Sequence, residues 1–431
     1  MPMLVRIGAA VAVALVLSLA VTPAVKWFAH RIGAIDDPKD ARRVHRSPIP
    51  RLGGLAIFIG FLLSMVLLAE ITPQVRGIMI GAVIIVIVGV IDDIVQLRAY
   101  IKLIMQIIAA VIAVYHGVVI EIFSNPLVFS ASEYVSLGLL SIPITVFWIV
   151  AITNSVNLID GLDGLAVGVS AISSIVMLVI ALLVSDPNVA IIMAALAGAC
   201  IGFMPYNFNP AKIFMGDTGA LLLGYVLATV SILGLFKFYA VVSFAAPFLV
   251  LALPLFDTSF AFARRLLKGR NPMSPDRGHF HHRLIDMGLS QKQAVAILYT
   301  VSGLLGLAAV VSTTSEEIRV LIFIVAVLIA LAIFFFAFKG KKKGSSADEA
   351  GSVDSGIIDT ESATTESPDA LHSPAPQAPQ ASPLADEIEA GCAQSPDAID
   401  TPTTASPPVN PGPNENTGIP QSSDNSQEDH T

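Results

Sequence analysis

The sequence predicts an all-α polytopic membrane protein of about eleven transmembrane helices, N-terminus outside, C-terminus cytoplasmic, with a disordered tail. Three observations carry this expectation. The 431-residue chain is 54% apolar and only 13% charged, with a mean hydropathy of +0.75, too apolar for a soluble globular protein. Its apolar residues fall into blocks of about 17–24, the length that crosses the hydrocarbon core as a helix. Its basic residues are divided unequally between the loops.

In chain order the blocks are roughly 4–26, 52–70, 76–91, 100–116, 137–153, 164–184, 189–206, 218–235, 239–262, 293–311 and 317–338. Within lipid each backbone polar group needs a partner in its own segment, so helices are expected throughout. The first block is longer than the apolar region of a signal peptide, and Lys26 with the basic loop after it favours a retained helix. If the loops alternate sides, segments 26–51, 92–102, 205–217, 263–292 and 339–343 share one face. They hold 21 of the 25 Lys and Arg, leaving Arg6, Arg76, Lys237 and Arg319 for the other. That asymmetry assigns the basic face to the cytoplasm.

The net charge of −8 is a composite. Residues 344–431 contain sixteen Asp and Glu and no Lys or Arg, which leaves 1–343 at about +8. Rich in Pro, Ser, Thr, Ala and Gln, this stretch cannot bury enough apolar surface to fold. The chain therefore divides into a multi-pass membrane domain, 1–343, and a disordered acidic cytoplasmic tail, 344–431. Its two cysteines, Cys200 and Cys392, form neither a disulfide framework nor a zinc spacing.

On this topology the polar residues collect at the cytoplasmic helix ends: DDPKDARRVHRSPIPRLGG (36–54), DDIVQLRAYIK (92–102), NSVNLIDGLDGLA (154–166), NFNPAKIFMGDTG (207–219) and SPDRGHFHHRLIDMG (274–288). The other face offers short turns and one longer loop near 117–136. A channel or carrier places polar groups near mid-membrane; an enzyme acting on a lipid headgroup lines one interface. A membrane transporter or lipid-binding scaffold is the alternative of a different class.

Asp92 and Asp93 end an apolar run, where the helix dipole and mutual repulsion disfavour carboxylates unless a cation is near. Interface solvation, or capping of the next helix, is the plain alternative. Asn154, Asn157, Asp160 and Asp163 recur every three residues and form one stripe if the stretch is helical, while Gly161 and Gly164 allow close approach of a ligand. Asp217 stands at the start of the 218–235 helix, where phosphate is favoured and one Asp beside phosphates is a usual Mg²⁺ ligand. An ordinary N-cap is the competing reading. His279, His281 and His282 lie among Arg277 and Arg283 with no cysteine near, which suits phosphate contact or proton transfer better than zinc.

These segments resemble the polyprenyl-phosphate N-acetylhexosamine-1-phosphate transferase superfamily over most of residues 30–300. The resemblance rests on HRSPIPRLGG at 45–54, the Asp92-Asp93 pair, NSVNLIDGLDGLA, NPAKIFMGD and PDRGHFHHRL. The last motif resembles the undecaprenyl-phosphate GlcNAc-1-phosphate branch rather than the muramoyl-pentapeptide branch, which carries a proline followed by three histidines. The resemblance implies transfer of GlcNAc-1-phosphate from UDP-GlcNAc to undecaprenyl or decaprenyl phosphate, with UMP released. It implies a bacterial cytoplasmic membrane enzyme whose active site faces the cytoplasm. Phospho-MurNAc-pentapeptide transfer, or another UDP-sugar donor, is the nearer alternative. By the same resemblance Asp217 holds Mg²⁺, with Mn²⁺ as a substitute. Asp92, Asp93 and His279 are catalytic, with Asp92 or Asp93 holding the lipid phosphate deprotonated or helping to organise the metal. Asn154, Asn157, Asp160, Asp163, Asn207, Phe214, Arg277, His281 and His282 bind substrate, Phe214 stacking on uracil. Nucleic acid is not an expected partner, and a homodimer is the assembly to test.

Overall fold

The ends of the helices are written in their capping residues. In the computed structural model, which describes residues 2–36, 48–124, 134–184, 186–236, 245–267, 269 and 279–313, helix α1 spans Met3–Ile32 and stops at Gly33, a left-handed residue with φ 76°. Helix α2 is Gly54–Leu68. Thr72 caps α3 (Pro73–Val95), its hydroxyl accepting the Val75 N–H at 3.3 Å with Pro73 in the first turn. Helices α4 (Ala99–Tyr115), α5 (Ser141–Ile159) and α6 (Leu165–Val184) follow. Asp186 and Pro187 start α7 (Pro187–Asn207) in the same manner as Thr72 and Pro73. Helix α8 (Gly216–Ser231) runs on through a wider turn to Phe236. After α9 (Ala245–Val250), α10 (Ala252–Leu267) and the short α11 (Phe280–Asp286), a Ser290/Gln293 capping box opens α12 (Gln291–Ser312).

Seven of these helices are long and apolar enough to cross a membrane: α1, α3, α5, α6, α7, α8 and α12. Helices α2 and α4 are apolar but shorter. The 239–262 block is not one helix, since α9 and α10 break at Leu251. The 317–338 block, Arg277 and the acidic segment 344–431 lie outside the described residues. The loop between α4 and α5 contains a short antiparallel pair, β3 (Ile122–Ser124) with β4 (Tyr134–Ser136). A second ribbon, β1 (Ile35–Asp36) with β2 (Ile49–Pro50), leads from α1 into α2.

Helix α8 is the axis. Its residues from Thr218 to Ser231 are all buried, because α2, α3, α5 and α6 pack around it. An all-round apolar helix of this kind has to be enclosed. Helix α7, also apolar on every side, is enclosed by α1, α2 and α6. Between lipid-solvated helices there is little hydrophobic drive, so contact depends on backbones approaching closely. Gly198 and Gly202 supply this on α7: a methyl group at either would collide with the Val11 or Leu15 carbonyl of α1. One end of the bundle is pinned where Arg6 donates to the Leu68 carbonyl at 2.7 Å and Asn188 bonds the Glu70 backbone twice at 3.1 Å. The chemistry-bearing side chains gather at the opposite end.

Candidate active site

Two buried carboxylates at the C-terminal turn of a helix, each 4% exposed, are doubly unfavourable and need positive partners. Asp92 and Asp93 find different ones. Asp93 serves α8: Oδ1 accepts the Asp217 N–H at 2.9 Å, and Oδ2 accepts the Thr218 N–H at 3.1 Å and hydroxyl at 2.6 Å. Arg51 Nε stands 3.4 Å from Oδ1. Gly216, with φ +72°, makes the turn into α8 possible against that carboxylate, where a Cβ would have no room. Asp92 accepts the Leu97 N–H at 2.6 Å and the Lys102 ammonium at 2.9 Å. The same Lys102 Nζ lies 2.8 Å from Asp217 Oδ2. One ammonium thus bridges two carboxylates brought together from α3 and α8.

This geometry corrects one expectation. Asp217 does not cap α8, and the first N–H groups of that helix are not free for phosphate, because Asp93 occupies them. The N-cap position is Met215. Asp217 sits in the first turn with its carboxylate on Lys102, its side chain 21% exposed and therefore reachable.

The 154–166 segment is likewise not one stripe. Helix α5 stops at Ile159, so Asn154 and Asn157 share its face, while Asp160 and Asp163 occupy the turn into α6. Asn154 pairs with Gln106 of α4 through a 2.5 Å bond. Asp163 accepts from the Asn209 side-chain amide at 2.9 Å and from the Ala211 N–H at 3.1 Å. Asn207 accepts the Gly164 N–H at 3.1 Å and donates to the Ile213 carbonyl at 3.0 Å. Asp163 and Asn207 therefore staple this turn to the 207–215 loop. Phe214 continues the loop, its N–H bonded to the Pro50 carbonyl at 2.8 Å and its carbonyl to the Gly53 N–H at 2.9 Å. Asp160 and Asn157 make no side-chain hydrogen bond to the described residues. Burial, reinforced by the charges of Asp217 and Asp93, pushes the Asp160 carboxyl up to about 7.

The histidine segment closes over this turn. His279 and His281 are buried at 5% and 3% exposure, their rings stacked 5.7 Å apart at 9°. The His282 ring lies 4.3 Å from that of His281. His281 rests on Gly161, where a Cβ would strike the imidazole. Burial, with His282 beside it, drives the His281 imidazole down to about 4, so it is neutral at physiological pH. Asp257 of α10 bonds His279 Nδ1 at 2.8 Å and the Phe280 N–H at 2.7 Å.

Arg51, Lys102, Gln106 and Asp257 were not among the residues the sequence singled out. Lysine and arginine at helix ends had counted only towards orientation, and Asp257 was hidden inside an apolar block. Among the described residues no group of three or more His, Cys, Asp or Glu could hold a metal ion. Asp92 and Asp217 do offer hard oxygens on either side of a cation, here the Lys102 ammonium. That suits Mg²⁺, which takes one or two protein carboxylates and completes its shell with substrate phosphate and water.

The model of glycosyl transferase family 4 matches residues 75–235, which contain Asp92, Asp93, Lys102, the 154–166 turn and Asp217. The chain is 42% identical to the "probable undecaprenyl-phosphate N-acetylglucosaminyl 1-phosphate transferase" of Bacillus subtilis over 76% of its own length and 90% of that protein. It is 35% identical to the decaprenyl-phosphate N-acetylglucosaminephosphotransferase of Mycolicibacterium smegmatis, over 66% of this chain and 77% of the relative. With the phospho-N-acetylmuramoyl-pentapeptide-transferase of Clostridium botulinum it shares 36% identity over only 46% of its length. The chain belongs to glycosyl transferase family 4, within the polyprenyl-phosphate N-acetylhexosamine-1-phosphate transferases.

Proposed function

We propose that this protein transfers N-acetylglucosamine 1-phosphate from UDP-GlcNAc to a polyprenyl phosphate and releases UMP. The observation that carries the reading is the Asp92–Lys102–Asp217 bridge at the end of the bundle where the 160–164 turn and the histidine segment meet. Support for GlcNAc over the muramoyl-pentapeptide donor comes from the greater extent of chain matched by the GlcNAc-named relatives.

In this reaction an oxygen of the lipid phosphate attacks the β-phosphorus of the nucleotide sugar. The bond from that phosphorus to the bridging oxygen breaks, and UMP leaves with the electron pair. Little covalent chemistry falls to the protein, whose task is positioning and charge neutralisation. Lys102 and Arg51 bring positive charge to phosphate. Asp160 and Asn157, whose side chains make no hydrogen bond to the described residues, face the donor, and Phe214 stacks on its base. Asp163 and Asn207 act by holding the turn. Asp92 keeps the lipid phosphate ionised or shares the cation, while Asp93 fixes the start of α8. Mg²⁺, or Mn²⁺ in its place, would be held by Asp217 with Asp92 and would neutralise charge on the donor's diphosphate, stabilising the departing UMP.

We assign the site to the cytoplasmic face of a bacterial membrane, on the 21-to-4 division of basic residues. Purified protein given a panel of UDP-sugars, polyprenyl phosphate and Mg²⁺ tests the donor. UMP release is expected to be fastest with UDP-GlcNAc; release confined to UDP-MurNAc-pentapeptide would replace this donor.

A further inference from the structure

Asp257, on α10, is an ionisable residue only 3% exposed, and such a buried group needs a specific partner to be tolerated. Both of its oxygens are committed. Oδ2 lies 2.8 Å from His279 Nδ1, and Oδ1 accepts the Phe280 N–H at 2.7 Å. A carboxylate can only accept, so Nδ1 must carry the proton whether the imidazole is neutral or charged. The backbone contact also fixes the start of α11, and with it the stacked pair His279 and His281 against Gly161.

We propose that Asp257 is a positioning residue for the transferase reaction. It holds His279 in the Nδ1–H tautomer, leaving Nε2 as the nitrogen that meets phosphate or moves a proton. This rests on reading His279 as part of the transferase site.

Asp257→Asn isolates the effect. The Phe280 N–H still requires an acceptor, so the amide oxygen takes the Oδ1 place and the NH₂ faces His279. That NH₂ can only donate, and the ring is forced into the Nε2–H form with its position kept. The experiment labels histidine with ¹⁵N in the full-length protein and identifies His279 by its loss in His279→Gln. Ring-nitrogen shifts are read alongside the kinetics of UMP release. The expected result is Nδ1–H in the wild type, Nε2–H in Asp257→Asn, and kcat lower by about 10²-fold or more with KM within threefold. A wild-type His279 carrying its proton on Nε2 overturns the proposal without any variant having to fold. So does an Asp257→Asn protein that keeps its rate within threefold while His279→Gln collapses. If His279→Gln itself keeps its rate, the reading of His279 as a site residue fails, and the proposal with it.

Discussion

Replacing Lys102 by Gln removes the ammonium that holds α3 and α8 together at the site. At 2.9 and 2.8 Å, each contact is worth about 6 kcal/mol of Coulomb attraction at an effective dielectric of 20. Desolvation and side-chain entropy return much of that. Breaking a buried pair costs about 3–5 kcal/mol because a charge is left unmatched. The Lys102 side chain is 22% exposed, so solvent screening reduces the expected loss to about 2–3 kcal/mol. In detergent with EDTA, Lys102→Gln should therefore melt about 5 °C or more below the wild type. Millimolar Mg²⁺ should restore more of the melting temperature in the variant than it adds to the wild type, since a second cation then fills the vacated place. A variant that melts with the wild type in EDTA, or gains no more from Mg²⁺, would refute the bridging role.

Three further outcomes are expected. Asp217→Asn should lower UMP release by about 10²-fold or more while its melting temperature in EDTA falls less than that of Lys102→Gln, because the Lys102–Asp92 contact survives, and Asp286→Asn, on the exposed side of α11, should be nearly silent. Comparable losses in both would point to general surface charge instead. Asp160, raised to about 7, takes up a proton on folding between its ordinary value and 7, so its contribution to stability is lost as pH rises through that window. Asp160→Asn should therefore gain stability relative to the wild type at pH 8, and that advantage should be clearly smaller at pH 5 and gone below about pH 4; equal differences at pH 8 and pH 5 would contradict the assignment. A cysteine introduced at Ser136 should be labelled by a membrane-impermeant reagent on intact cells and one at Asp286 should not, and the reverse pattern would invert the orientation.

Seven long helices were legible because length and apolarity decide them with no long-range information, whereas the 239–262 block concealed the break between α9 and α10. Also legible was the collection of polar residues at one end of the bundle, since they stand at the ends of successive apolar blocks. What could not be read was the division of labour among the carboxylates. Asp92 and Asp93 are neighbours with the same local signal, yet one caps a helix more than 120 residues away and the other binds a lysine. Only the packing of α3 against α8 separates them. The 154–166 stripe failed because α5 ends at Ile159, just before Gly161, and Gly164 turns the chain into α6, glycine signals present in the sequence and read instead as room for a ligand. Asp257 carried a usable signal too, an acidic residue inside a membrane block. Its histidine partner, 22 residues away, could not be assigned from spacing.

The central claim is that a sugar phosphate moves, rather than a sugar. UDP-GlcNAc labelled with ³²P at its β-phosphate, incubated with polyprenyl phosphate, Mg²⁺ and the purified protein, tests it directly. The label is expected in the organic-phase lipid, equimolar with unlabelled UMP in the aqueous phase. Label recovered as UDP, beside a lipid carrying only the sugar, would contradict it.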